Sequence, residues 1–175
     1  ADVNTIAKET VGVVTATVAA GTAASLKAAL TDAAATDVLT LKVTGTAAAA
    51  DLVALDGKTS VAVDATKVTA ITGTLSEVTA AIITPATKVT TAANVAVTVT
   101  GDLTNTDIAA LNKIAAATTG KVTATVADTA TALAAALTTN GAGIAGTDAL
   151  TLKVTGTATA AELITLDSKT SVVVN

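Results

Sequence analysis

Residues 39–63 read LTLKVTGTAAAADLVALDGKTSVAV and residues 150–174 read LTLKVTGTATAAELITLDSKTSVVV, so the chain repeats itself at an offset of 111. A fold for this chain has to give one pattern equivalent surroundings twice, and fixed-period self-similarity is the mark of stacked architectures. The match runs further back. Gly12–Val18 pairs with Gly120–Val126 at an offset of 108, and residues 1–12 line up with residues 109–120. The chain is therefore divided into the end of one module (1–11), a complete module of about 108 residues (12–119) and part of another (120–175). We expect residues 1–175 to form a single array excerpted from a longer repetitive protein.

A shorter period lies inside the module. Runs with an apolar residue at every second position end near Ala20, Gly45, Gly73, Gly101, Asp128 and Gly156, spaced 25 to 28 residues apart. Leu39-Leu41-Val43, Val95-Val97-Val99, Val122-Ala124-Val126 and Leu150-Leu152-Val154 alternate in this way, as half-buried strands do. After them come Leu52 with Leu55, Ile108 with Leu111 and Ile114, Leu133 with Leu137, and Leu163 with Leu166. Spacings of three and four put each set on one helical face, and the alanines between them favour helix. Thr46, Asp102, Thr129 and Thr157 stand where helix N-caps are wanted. Gly45, Gly73, Gly101 and Gly156 fit the turn from strand to helix, and Pro85 fits a helix stop.

The resulting expectation is an α/β chain of six βα units, a repetitive solenoid with about 28 residues per coil and a parallel sheet along one side. The competing expectation is an all-β array of immunoglobulin-like domains, against which the AAxxLxxL segments argue. The chain has no Phe, Trp, Tyr, Met, Cys, His, Arg or Gln, and alanine and threonine make up nearly half of it. A thin coil filled by Ala, Val, Leu and Ile from neighbouring layers leaves little room for rings.

The strings VTGTATAAELITLDSKTSVVVN and ITGTLSEVTAAI resemble the tandem repeats of giant extracellular or cell-surface proteins of marine cyanobacteria and related bacteria, of the "beta strand repeat" or calcium-binding adhesin kind. The resemblance covers nearly the whole chain and rests on low-complexity motifs. It implies an extracellular or cell-surface location and a structural or adhesive role, and it assigns no catalytic residue.

Composition excludes several chemistries. Without His, Cys or Met the usual zinc, copper, haem and iron–sulfur ligand sets cannot be assembled, and His-based acid–base catalysis is absent. A net charge of −4 from ten lysines and fourteen acidic residues gives no footprint for nucleic acid, and no arginine or aromatic ring is present to read it. The mean hydropathy of +0.68 comes from evenly spread Ala and Val, with no apolar window long enough to span a bilayer, so no membrane insertion is expected. Nor is a signal peptide read within these residues.

Three local patterns bear on chemistry. Gly141–Gly146 spells GxGxxG, but a dinucleotide fingerprint needs a strand before it and a helix after it. The expected order here is the reverse, which makes it a flexible loop and leaves no small-molecule substrate expected. Gly146-Thr147-Asp148 is half of a calcium-binding nonapeptide. Asp32, Asp37, Asp102, Asp107, Asp128 and Asp148 lie near coil edges, so calcium is the one candidate cofactor; caps and turns are the simpler role for these carboxylates. Asp56 with Lys58, and Asp167 with Lys169, recur once per module and fit a surface ion pair at a helix end rather than a catalytic pair. No catalytic, cofactor-binding or metal residue is assigned, and the chain is not expected to be an enzyme.

The outward strand positions form the candidate contact face: Thr15, Thr17, Thr40, Thr44, Thr98, Thr100, Thr123, Thr125, Thr151 and Thr155. Stacked parallel strands would set them in ladders about 4.8 Å apart. Lys42 and Lys153 protrude from this face, and Val68 and Ala70 are expected to interrupt it. The functional expectation is a structural repeat segment acting as spacer, sheath or filament, whose partners are neighbouring repeats or copies of itself. The alternative is an adhesin or ice-binding module that uses the threonine face and is stabilised by calcium.

Overall fold

A computed structural model describes residues 2–175. In chain order the elements are α1 (Val3–Glu9), β1 (Thr15–Thr17), α2 (Ala23–Ala29), β2 (Val38–Thr40), β3 (Lys42–Ala48), α3 (Ala49–Asp56), β4 (Val63–Thr74) and α4 (Leu75–Ile82). They continue with β5 (Val89–Thr91), β6 (Ala96–Leu103), α5 (Ile108–Ala116), β7 (Val122–Thr129), α6 (Ala130–Asn140), β8 (Ala149–Thr155) and α7 (Ala160–Asp167). The chain is α/β, its strands pair in parallel, and the six expected βα units are present in sequence. An all-β array is not what forms.

Strand order follows chain order. The larger sheet runs β3-β4-β6-β7-β8, with β5 beside the first residues of β4, and β1 pairs with β2 in a separate two-stranded sheet. A single bridge, Gly21 to Val43, connects the two regions. The sheet along one side is thus divided in two. Helices follow the same rule: α2 packs on α3, α3 on α4, α4 on α5, α5 on α6 and α6 on α7. The last residues continue the pattern, because Asn175 exchanges backbone hydrogen bonds with Leu152 and Val154 of β8.

Most of the apolar residues picked out by periodicity form the core; Leu163 is exposed and Val154 half-buried. Leu39, Leu41 and Val43, Val97 and Val99, Val122, Ala124 and Val126, and Leu150 and Leu152 are buried from the strands. Leu52, Leu55, Ile108, Leu111, Ile114, Leu133, Leu137 and Leu166 meet them from the helices. The helices have only 7 to 11 residues, too few to persist alone in water, so this packing is what holds them. Each fully buried leucine contributes about 1.5–3 kcal/mol relative to exposure.

Three expectations are corrected by the register. Paired residues stand 22 to 26 apart, as Lys42 with Asp64 and Thr123 with Ala149 show, and not about 28. Run ends do not meet: Gly45 pairs with Val68 and Gly73 with Val99, so successive strands are staggered, and counting between run ends adds the stagger to the coil. Second, Gly45 and Gly101 lie inside β3 and β6 rather than in a turn. Their φ values of 81° and 93° coincide with register shifts beside Gly45 and between Thr98 and Asp102, which makes them bulge glycines. Third, β3 runs three residues past Gly45 and β6 two past Gly101, and α7 begins two residues later than expected. The helix caps therefore move from Thr46, Asp102 and Thr157 to Ala48, Thr104 and Thr159, and Thr129 alone of the expected set caps its helix. At Thr74 and Thr159 the threonine accepts from the third helical N–H while Glu77 and Glu162 accept from the cap's own N–H, two complete capping boxes.

Gly120 marks a close backbone approach between neighbouring units. A Cβ there would overlap the carbonyl oxygens of Val95 and Asn94 in the preceding coil, which are backbone atoms and cannot swing aside. Gly120→Ala is expected to cost at least about 3 kcal/mol, the upper part of the overpacking range. A Cβ on Gly101 meets open space, so Gly101→Ala should cost only the left-handed backbone penalty of about 1–2 kcal/mol. Denaturant midpoints of the two variants check this order.

Candidate contact face

All ten candidate threonines lie on strands and none is buried. Thr15, Thr17, Thr40, Thr100 and Thr155 are exposed; Thr44, Thr98, Thr123, Thr125 and Thr151 are half-buried, shielded by their neighbours along the sheet. The register decides which of them align. Thr17 pairs with Thr40 in the small sheet. In the large sheet Thr72, Thr98 and Thr123 form one row across β4, β6 and β7, and Thr125 and Thr151 form another across β7 and β8. Thr74 stands beside Thr100, and Thr155 beside Thr129. Thr72 and Thr74 were not among the expected residues, although their alternation with Ile71 marks them as outward.

The face is not one continuous ladder. The bulge between Thr98 and Asp102 takes Thr100 and Gly101 out of register with β7, and Thr44 faces Lys67. Lys42 and Lys153 are exposed as expected, and Lys153 comes within 4.0 Å of Asp102. Val68 does not interrupt the face, because it points inward and is buried in the core. Ala70 does, in line with Ala96. The face is thus a set of short, nearly uncharged threonine rows bounded by lysines.

The carboxylates near the coil edges are engaged locally. Both oxygens of Asp148 accept backbone hydrogen bonds, from Val122 at 3.0 Å and Ala145 at 2.9 Å. Asp37 does the same with Val14 at 2.8 Å and Ala34 at 2.9 Å. Asp32 accepts from Asn4, Asp107 from the Thr104 N–H, and Asp128 from the Thr129 N–H. Asp102 is largely exposed. Among the described residues these groups do not gather three to a site that could hold a metal ion.

The GxGxxG segment follows α6 and precedes β8, the reverse of a dinucleotide site. It is an anchored corner rather than a flexible loop: the Gly143 N–H donates to the Asn112 side chain of α5, and Ala145 is held by Asp148. Asp56 and Lys58 do not pair with each other. Asp56 accepts from the Lys88 N–H of the following coil, while the Lys58 ammonium donates to the Thr31 carbonyl of the preceding one. Lying on opposite sides of a helix end, the two side chains tie three coils together.

A buried polar corner escaped the sequence reading. Asp37, Thr59, Asp148 and Thr170 are buried, and all are hydrogen-bonded. The Asp37 carboxylate reaches back to the coil of Val14. Its own carbonyl accepts from the N–H and hydroxyl of Ser60 in the coil ahead. The Thr59 hydroxyl bonds the Leu39 carbonyl at 2.9 Å and accepts from the Leu39 N–H. Asp148, Thr170 and Ser171 repeat the arrangement with Val122 and Leu150. Between them, Thr118 and Thr119 grip Val95 and Ala93 although position 93 carries no carboxylate. The signal was present: Thr36-Asp37 matches Thr147-Asp148, and Lys58-Thr59-Ser60 matches Lys169-Thr170-Ser171.

Four other carboxylates titrate below their ordinary range, each through local hydrogen bonds. The Thr131 hydroxyl of α6 does most to lower Glu162, with the Thr159 N–H adding to it. Glu77 is lowered by the Thr74 N–H, Asp64 by the Thr66 hydroxyl and Asp2 by the Thr5 N–H.

The chain matches no protein-family model, no curated protein and no solved structure.

Two outcomes are expected. Thr59→Val and Asp148→Ala each leave buried backbone groups unpaired and should destabilise the fold by about 1–3 kcal/mol for each group left without a partner; the same changes at Thr66 and Asp102 should be near neutral in chemical denaturation. Because the folded-state values of Glu162, Glu77, Asp64 and Asp2 are depressed, their contribution is present above the unfolded carboxylate values and is lost as pH falls through the folded ones. Melting temperature should therefore drop on acidification, and Glu162→Gln should make that drop shallower.

Proposed function

We propose that this chain is a structural repeat segment, a βα solenoid that serves as spacer, sheath or filament in a large extracellular or cell-surface protein. The observation that carries the reading is the neighbour rule: the larger sheet runs β3-β4-β6-β7-β8 in chain order, and from α2 to α7 each helix packs on the next. Stability in such an array is a sum of coil interfaces, and length is set by the number of coils. The buried corner supports the same reading. Asp37 and Asp148 spend their carboxylates on coil-to-coil register, and Asp56 and Lys58 reach to opposite neighbours. The helices are short and, among the described residues, none is long and apolar enough to cross a membrane.

A second reading uses the outward threonines. The aligned row Thr72-Thr98-Thr123 favours it, because three hydroxyl and methyl pairs in register offer a small flat surface to a glycan, to ice or to a neighbouring filament. The lysine borders and the bulge keep each row short, so this contact would be an addition to the spacer role.

A variant in which residues 12–119 are duplicated in tandem tests the spacer role. Small-angle scattering should show a longer particle of unchanged cross-section, and unfolding should shift to higher denaturant. A particle that thickens, or that unfolds in two separate steps, would contradict a continuous array.

A further inference from the structure

Two corner designs alternate along the array. One is built on threonine, at Thr10, Thr59, Thr118 and Thr170, whose hydroxyl accepts from the N–H two residues on. The other stands at Asp37, Ala93 and Asp148, one between each pair of threonine corners. Ala93 lacks the carboxylate, but an independent feature assigns it to the aspartate type. Among the described residues the glycines with φ in the left-handed region are Gly45, Gly101 and Gly156, and they lie eight residues beyond positions 37, 93 and 148. Among the same residues, the coils that begin at threonine corners carry none. The steps differ as well: 22 to 25 residues from an aspartate-type corner to the next threonine, and 27 to 34 for the reverse.

Each type meets its neighbours with its own chemistry. A threonine corner faces the preceding coil with donors. The hydroxyls of Thr59, Thr118 and Thr170 donate to the carbonyls of Leu39, Val95 and Leu150. The N–H that follows, of Ser60, Thr119 and Ser171, donates to the carbonyls of Asp37, Ala93 and Asp148. A threonine corner also faces the coil ahead with a donor, the N–H of Val14, Val63 or Val122. The aspartate type meets that N–H with an acceptor. Asp37 and Asp148 supply a carboxylate oxygen at 2.8 Å and 3.0 Å, and in the middle coil the Lys88 carbonyl takes the same place at 2.7 Å. Of these corner groups, then, the threonine type offers donors on both sides and the aspartate type acceptors on both sides. The strand ladders beyond the corner mix donors and acceptors, as the Leu39 N–H on the Thr59 hydroxyl does, and do not distinguish the types.

We propose that each face of a coil accepts only a coil of the other type, so that the array lengthens or shortens by pairs of coils. Two threonine corners in contact would turn N–H and hydroxyl donors on one another. Two aspartate-type corners would do the same with carboxylate and carbonyl oxygens. Asp37, Thr59, Asp148 and Thr170 are buried, so water would not replace the missing bonds. The proposal rests on the stacked-coil reading and adds the partner that each coil face selects.

Deletions separate pairwise stacking from stacking of any coil on any other. Removing residues 37–92 takes out one pair and joins Thr36 to Ala93, which keeps the alternation. Removing residues 37–58 takes out one coil and joins Thr36 to Thr59, which sets threonine type on threonine type. If coil number alone decided stability, the second variant would be the more stable. The opposite is expected: the shorter chain should unfold in one cooperative step and at the higher denaturant midpoint. Insertions after Thr36 give the same contrast with every native coil retained. A second copy of residues 37–92 should raise the midpoint above the wild-type value, and a second copy of residues 37–58 should lower it below. A single-coil insertion that stabilises overturns the proposal, as do a pair deletion and a pair insertion that both fail to fold. The variant with residues 12–119 duplicated keeps the alternation. If it lengthens while a single-coil insertion also stabilises, the pairing rule alone falls. If it does not lengthen, the stacked-coil reading falls with it.

Discussion

The register between successive βα units rests on buried carboxylates and buried hydroxyls at one corner of the fold. An unpaired backbone group in that position would cost free energy comparable to a lost hydrogen bond. Asp37 and Asp148 remove that cost for Val14 and Val122, and Thr59 and Thr170 remove it for Leu39 and Leu150, each time in the preceding unit. The bond partners are backbone atoms, so the device works whatever the side chains of the neighbouring coil are.

Threonine serves three separate purposes, and its abundance follows from all of them. On the strands it is a β-branched residue that suits an exposed sheet position. At Thr22, Thr74, Thr129 and Thr159 it caps a helix too short to form alone. At Thr10, Thr59, Thr118 and Thr170 it makes the corner turn, and at the last three it also bonds the coil behind. Alanine is the complement: Ala23, Ala49 and Ala130 of the helices and Ala65 and Ala124 of the strands are buried in the core.

Much of the fold was legible because it depends on local periodicity. Leu39-Leu41-Val43 announces extended chain, which the structure divides between β2 and β3, and Ile108-Leu111-Ile114 announces a helix; all six residues are buried. What could not be read is whatever depends on how one coil slides against the next. Gly45 looks like the end of a strand, yet it faces Val68 and the strand continues through a bulge, which carries the helix cap from Thr46 to Ala48. The candidate face was legible as a set of outward threonines, but not as rows, since alternation says which side a residue faces and not which residue it stands beside. Asp148 looked like a fragment of a calcium loop, and only its two backbone partners make it a clasp.

By itself the sequence determined the repeat, the alternation of strands with helices, and the identity of the core, since each follows from residue spacing within a single unit. Tertiary structure alone decided the stagger of the strands, the division into two sheets, the rows on the threonine face and the use of each buried polar group. The physical reason is that these depend on hydrogen bonds between residues 20 to 32 positions apart, and a pattern read along one unit carries no record of its register against the next.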